Sequence, residues 1–368
     1  MAKYLFYIDT IERTGGAQRV MSVLCNHFAK DNEVLIVNDY VHENNYVTAS
    51  LLKNKNIRIK YLSENICGNF ISKNIKRIKK LKQIIIEEKP DLCLSFLGGC
   101  NLRLLLCFKK NTQTKRIVSV RNDPNKEYSS NKIIKGIVNR IFMRADGIVF
   151  QTESAASYFN EKINLKSSII LNPIDEKFFE TKKQSTKYDI VTLGRMNEQK
   201  NHKLLINAFN EIKFACPTIK LHIFGIGPLE KELTDLASSL GIKERVLFEG
   251  NTPNQENILS QSSIFVLSSD YEGMPNALME AMASGLPCIS TDCPCGGPKM
   301  LIENDVNGIL IPCNDVEALS IALKTLANDE ALRQKLGNKA KETSNAFRTD
   351  KILSLWENFF NKTVGDKK

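Results

Sequence analysis

The sequence predicts an α/β protein built from two doubly wound parallel-sheet domains. Three observations predict it. The chain has 368 residues, and one hydrophobic core rarely grows past roughly 250–300 residues. Hydrophobic residues are 42% and charged residues 25%, a globular composition that excludes a disordered or fibrous chain. Short apolar runs alternate with amphipathic patterns along the whole length, the rhythm of parallel strands covered by helices.

In the first half, strands are expected at Tyr4–Ile8, Val34–Val37, Asp91–Phe96, Arg116–Val120, Gly147–Phe150 and Ser168–Leu171. Helical spacing fills Ala17–Ala29, Ile71–Glu88, Asn101–Phe108, Asn131–Met143 and Ser154–Phe159. The second half repeats the pattern with strands at Asp189–Leu193, Lys220–Phe224, Val246–Phe248, Ile264–Leu267, Pro287–Ser290 and Gly308–Ile311. Between them Asn172–Lys187, which opens on Asn172-Pro173 and continues polar, reads as a linker. The last pattern, Lys351–Phe360, places Ile352, Leu355, Trp356 and Phe359 at amphipathic spacing.

Several function classes drop out. No run of 18 or more apolar residues exists, so no spanning helix is expected. The N-terminal apolar stretch meets Asp9 and Glu12 too soon for a signal-peptide core and reads as a buried first strand. Ten cysteines in 368 residues are too few for a disulfide scaffold. Cys93, Cys100 and Cys107 sit among Leu and Phe like core residues, so reduced thiols and an intracellular protein are expected. The four histidines are scattered, and Cys293-x-Cys295 lacks a partner pair, so no zinc site is expected.

The net charge is +10, and it is uneven. Residues 1–180 carry 29 Lys+Arg against 18 Asp+Glu, net +11; residues 181–368 carry 22 against 23, net −1. Much of the excess lies in one segment, where Ile71, Ile75, Ile78, Leu81 and Ile85 recur at helical spacing. Lys73, Lys76, Arg77, Lys79, Lys80 and Lys82 fill its other faces. Such a helix either packs with a solvated basic face or lies on an anionic membrane.

In open α/β sheets ligands bind beyond the carboxyl ends of the strands, and four strand-to-helix loops stand out. Thr14-Gly15-Gly16-Ala17 precedes a helix whose free N–H groups suit an anion, although a Gly-Gly pair alone is often simple turn chemistry. Neither a G-x-G-x-x-G nor a G-x4-G-K-S/T phosphate motif occurs there. Leu193–Asn201 carries Arg195 and Lys200, a fork of donors and a point charge five residues apart that could reach one diphosphate. Phe224-Gly225-Ile226-Gly227-Pro228 allows close approach of a flat base or ribose. The fourth loop, Ser268–Pro287, is the most informative. A helix is expected from about Pro275 to about Gly285, with Glu272 just before it and Glu280 inside it, four residues from Asn276. Carboxylates beside an anion site make sense where they accept hydrogen bonds from sugar hydroxyls. The pattern therefore suggests a ligand with sugars on both sides of a diphosphate, a nucleotide sugar.

The Glu272-x7-Glu280 spacing within EGMPNALMEAMASGLP resembles the signature of glycosyltransferase family 4. TGGAQR, LNPID, LGRMNEQKN, FGIGPLE and TDCPCGGPKMLIENDVNGILIP are similar in order and spacing, most closely over Asp189–Cys313. The resemblance implies a retaining transferase of the GT-B fold, two Rossmann-like domains facing each other across a cleft. Residues 1–175 plus a returning C-terminal helix at about 349–362 would bind the acceptor, and residues 176–348 the donor. Arg195 and Lys200 would hold the donor diphosphate, Glu280 the ribose and Glu272 the transferred sugar. Backbone at Gly273, Met274, Pro275 and Asn276 would contact the sugar or diphosphate, Gly225 would line the donor site, and Gly15 and Gly16 would approach from the other domain. No D-x-D pair exists, so no cofactor and no metal are expected. One departure is Arg121-Asn122, standing where many relatives carry a histidine; Arg121 could instead meet an acceptor phosphate.

The expected function is transfer of a hexose or N-acetylhexosamine from a UDP-type nucleotide sugar to a lipid-linked, undecaprenyl-diphosphate type glycan. Such a reaction serves O-antigen, capsule or related surface-polysaccharide biosynthesis. The expected place is the inner face of the cytoplasmic membrane, held through the basic half. The alternatives are a GT-B nucleotide-sugar epimerase, or a family 4 transferase with a soluble acceptor. A nucleic-acid partner is not expected, because no nucleic-acid motif accompanies the charge.

Overall fold

The computed structural model describes residues 1–11, 15–40, 52–63, 69–108, 113–180, 184 and 186–365. Its contacts divide the chain into two units, Met1–Pro173 with Asp350–Lys368, and Ile174–Thr349.

The first unit is a seven-stranded parallel sheet in the order β3-β2-β1-β4-β5-β6-β7. Its strands are β1 Lys3–Ile8, β2 Glu33–Tyr40, β3 Ile57–Ser63, β4 Leu92–Phe96, β5 Lys115–Ser119, β6 Gly147–Phe150 and β7 Ser167–Ile169. The longer helices are α1 Gly16–Phe28, α2 Phe70–Glu88, α3 Gly98–Cys107 and α4 Lys132–Phe142. Asn69 and Asn131 start α2 and α4 by accepting hydrogen bonds from the Ser72 and Ile133 amides, each at 2.9 Å. β4 is buried throughout and apolar except for Ser95, as a central strand covered on both faces should be.

The second unit is a six-stranded parallel sheet in the order β10-β9-β8-β11-β12-β13. Its strands are β8 Tyr188–Leu193, β9 Leu221–Phe224, β10 Val246–Gly250, β11 Ser262–Leu267, β12 Cys288–Thr291 and β13 Ile309–Ile311. Its longer helices are α5 His202–Glu211, α6 Glu230–Ser239, α7 Asn276–Ala283, α8 Val316–Asn328 and α9 Glu330–Ser344. Ile190, Leu205, Phe209, Ile223 and Leu323 close the core between sheet and helices.

The last helix, α10 Thr349–Val364, returns to the first sheet. Trp356 and Phe360 are buried with Phe6, Phe28 and Phe96 in one apolar cluster. Trp356 lies 6.0 Å from Phe96 and 5.8 Å from Phe360, centroid to centroid.

The α/β class and the strand-helix alternation expected from the sequence are present. Four details differ. Strand β3 was not expected; it is an edge strand whose Arg58 and Lys60 disguise the alternating Ile57 and Ile59. In α2 the expected apolar stripe is split. Leu81 and Ile85 are buried, whereas Ile71 and Ile75 are 69% and 49% exposed. Arg77 leaves the basic face and turns to Asp39 at 3.6 Å, beside the Arg103–Asp39 pair at 2.6 Å. The Asn172–Lys187 linker is partly folded: residues 176–180 form a turn of helix that buries Phe178 and Phe179, while 181–183 and 185 lie outside the described residues.

Among the described residues no helix is long and apolar enough to cross a membrane. The described cysteines are all free, and all but Cys313 are buried.

Candidate active site

The strand order of the second unit reverses between β8 and β11, which are neighbours. Chains leaving such a pair diverge and open a crevice beyond their carboxyl ends. Two of the four loops singled out in the sequence leave these two strands, and the fold brings them together there.

The first loop runs from Gly194 to Asn201. Asn197 accepts from the Lys200 amide at 3.2 Å and turns residues 198–200 into a 3-10 turn. Asn201 adopts a left-handed conformation, φ 42°, and its side-chain oxygen accepts from the Leu204 amide at the start of α5. Its amide nitrogen donates to Asp270 at 2.7 Å. Ser268 donates to the Lys200 carbonyl at 2.9 Å, Gln199 donates to the Tyr271 carbonyl at 2.9 Å, and the Asp270 amide donates to the Gln199 carbonyl at 2.8 Å. These four bonds join the loop to the segment that follows β11.

The product of that lacing is an ion pair. Lys200 Nζ stands 2.5 Å from Glu272 Oε1, with Glu272 7% exposed. Gly194 lies under the lysine stem, where a Cβ would be 3.3 Å from Lys200 Cε. Ser269 Oγ donates to the same Glu272 oxygen at 2.7 Å. Arg195 is on the same loop with its side chain exposed. His202, two residues beyond Lys200, is buried; burial and then the nearby Lys200 charge push its imidazole down to about 4, so it is neutral at physiological pH.

Glycines lock the neighbouring loops. Gly225 has φ 140°, and a Cβ there would fall 2.0 Å from the Gly194 carbonyl oxygen. The glycine freedom is thus used to pack the loop after β9 against the loop after β8. A Cβ at Gly297 would fall 1.7 Å from the Gly273 carbonyl oxygen, which ties the turn after β12 to the approach to α7.

Helix α7 begins at Asn276, so Pro275 is its N-cap and not its first helical residue; its ψ of 103° is extended. No side chain caps this end, and the first amides of a helix have no intrahelical partner and suit an anion. Gly273, Met274 and Pro275 are buried on the approach, and Asn276 is half-buried. Glu280 is 3% exposed within α7. Gly15 and Gly16 stand at the head of α1 in the first unit; Thr14 lies outside the described residues. Among the described residues no group of three His, Cys, Asp or Glu is arranged to hold a metal ion.

In the first unit Arg121 follows β5 and is turned inward. It donates to Asn172 and lies 4.5 Å from the centre of the Phe96 ring, and burial lowers it to about 9. Glu127 is beside it. Burial raises its carboxyl to about 7 against the opposing effects of the Gly98 amide and Arg121, and its Oε2 is enclosed without a hydrogen-bond partner. A carboxyl raised on folding binds its proton more tightly in the native state, so it lowers stability as pH rises from the unfolded value towards 7. Glu127→Gln is therefore expected to raise the melting temperature of this unit at pH 8 and leave it unchanged at pH 4, as differential scanning calorimetry would show.

Glu272 and Lys200 are each legible in the sequence, but their contact is not. Ser269, Gln199, Asn201 and Asp270 are not legible as site residues, because polar side chains in loops carry no signal until the two loops are adjacent.

Comparison with known proteins identifies what the chain is similar to. Residues 173–343 match the family model described as "Glycosyl transferases group 1". The chain is 28% identical over 363 residues to the Campylobacter jejuni enzyme named GalNAc-alpha-(1->4)-GalNAc-alpha-(1->3)-diNAcBac-PP-undecaprenol alpha-1,4-N-acetyl-D-galactosaminyltransferase, covering 97% of each chain. It is 28% identical over 346 residues to an uncharacterized glycosyltransferase of Methanocaldococcus jannaschii, covering 79% of this chain and 84% of that one. Its fold is similar to the crystal structure of Anabaena HepE in complex with UDP-glucose, with a TM-score of 0.83, 16% identity, and 98% and 100% of the two chains covered. The two parallel-sheet units are those of GT-B glycosyltransferases, residues 173–343 match the group 1 domain, and the chain is a glycosyltransferase enzyme.

Proposed function

We propose that the enzyme transfers a hexose or N-acetylhexosamine from a UDP-sugar to a lipid-linked glycan, with retention of anomeric configuration and without a metal. The observation that carries this reading is the Lys200–Glu272 pair beside the uncapped end of α7. The reaction's chief demand is stabilisation of the departing diphosphate. Lys200 supplies a positive charge, Arg195 a fork of donors, and the first α7 amides oriented dipoles. Glu272 accepts a hydroxyl of the transferred sugar and Glu280 the ribose diol. In this reading Gly225 and residues 273–276 line the donor site.

The similarity to the undecaprenol-dependent Campylobacter jejuni enzyme supports a lipid diphosphate acceptor. Incubation with a panel of UDP-sugars and synthetic undecaprenyl-diphosphate sugars, read by mass spectrometry, tests the proposal. Extension of the lipid-linked sugar is expected; epimerised UDP-sugar without acceptor would reject it.

The same reading places the first unit on an anionic lipid surface. Phe70, Ile71 and Ile75 on α2 and Ile133, Ile134 and Ile137 on α4 are between 42% and 83% exposed. Both helices pack against α3 and leave the same edge of the sheet. Lysines 73, 76, 79, 80, 132 and 135 are interspersed with these aliphatic residues, the mixture that suits an interface rich in anionic headgroups. Changing Lys73, Lys76, Lys79 and Lys80 to Gln is expected to abolish sedimentation with phosphatidylglycerol vesicles. Unchanged sedimentation would leave these lysines as a solvated face.

A further inference from the structure

Both hydrogen bonds to the Glu272 carboxylate fall on one oxygen. Lys200 Nζ and Ser269 Oγ reach Oε1 at 2.5 and 2.7 Å, and Oε2 takes neither. With both donors on one oxygen, the second oxygen keeps its acceptor capacity for a ligand hydroxyl.

The two donors differ in how firmly they are held. Lys200 has a flexible stem, is 20% exposed and carries the charge proposed for the diphosphate. Ser269 is fully buried. It is the second residue beyond β11, and Thr291 Oγ1, at the end of β12, donates to its carbonyl at 2.6 Å. The Glu272 amide donates in turn to the Pro294 carbonyl at 3.2 Å. Ser269 is therefore anchored to the sheet, whereas Lys200 is free to divide its three N–H groups between Glu272 and an arriving anion.

We propose that Ser269 is a positioning residue for Glu272, an inference that rests on the sugar-binding role given to Glu272 above. In the resting enzyme Lys200 and Ser269 hold the carboxylate together. Once the donor diphosphate draws on Lys200, the Ser269 hydroxyl keeps Oε2 aimed at the sugar. Its contribution is made in the donor-bound state, so its loss is felt in turnover more than in donor affinity.

The test compares Ser269→Ala, Ser269→Cys and Ser269→Thr with Glu272→Gln, measuring kcat, donor KM and melting temperature. Loss of a hydrogen bond to a charged group predicts a fall in kcat of about 10- to 100-fold for the Ala and Cys variants. Donor KM should change by less than about 3-fold, since the bond matters after binding. Cys keeps the volume and is a poor donor, which separates the hydroxyl from packing. Thr restores the hydroxyl and is expected to recover most of kcat. A Cys variant with wild-type kcat, or a rise in donor KM with kcat unchanged, overturns the role of Ser269. If Glu272→Gln is itself fully active, the reading of the site falls instead.

Discussion

Replacing Lys200 by alanine is expected to lower kcat by about two to three orders of magnitude, the usual cost of removing one preorganised group that meets charge developing on a leaving oxygen. The geometry also predicts a side effect. Glu272 is 7% exposed and would lose its cation while keeping only the Ser269 hydroxyl. An ionised group left without its partner in a buried setting destabilises the fold. The double variant Lys200→Ala/Glu272→Gln removes that charge and should recover the melting temperature of the single variant without recovering activity. Lys200→Ala retaining more than about a tenth of wild-type turnover, against the loss argued from electrostatic stabilisation, would remove Lys200 from the chemistry.

Trp356→Ala is expected to produce the largest loss of stability, about 3–5 kcal/mol, as a large aromatic side chain deleted from a closed core costs. Trp356 is fully buried and packs against Phe96 of β4 and Phe360 of its own helix. The cavity would open under the first sheet, although the residue lies beyond the end of the second unit in sequence. Hydrogen exchange followed by mass spectrometry should therefore show loss of protection in β1, β2 and β4, with β8 and β11 unchanged. Equal loss in both sheets would contradict the assignment of α10 to the first unit alone.

The strands expected at Asp91–Phe96 and Ile264–Leu267, which the structure forms at Leu92–Phe96 and Ser262–Leu267, are legible because burial on both faces leaves mainly apolar residues in the local composition. Edge strand β3 escaped because only one of its faces is apolar and its charges joined the basic tract around it. The start of α7 was placed one residue early, since proline suits either the N-cap or the first helical position and only the ψ of Pro275 distinguishes them. The charge excess lies in the first half, but its count does not tell which cations face solvent. Arg77 shares the helical periodicity of its neighbours, and only the position of Asp39 on β2 draws it inward.

By itself the sequence determined what local chemistry determines: two sets of alternating strands and helices, loops rich in glycine and charge at strand ends, and a pair of glutamates flanking a helix start. The tertiary structure decided which of these meet. Lys200 and Glu272 are 72 residues apart, and their contact depends on β8 and β11 being neighbours where the sheet order reverses. Trp356 completes the first core because α10 returns to it. The Lys200–Glu272 contact has no periodicity or motif, because it is a property of strand order; the helix of Trp356 carries its periodicity in the sequence, and its return is what the resemblance implies, but its partners Phe28 and Phe96 are set by packing of the folded chain.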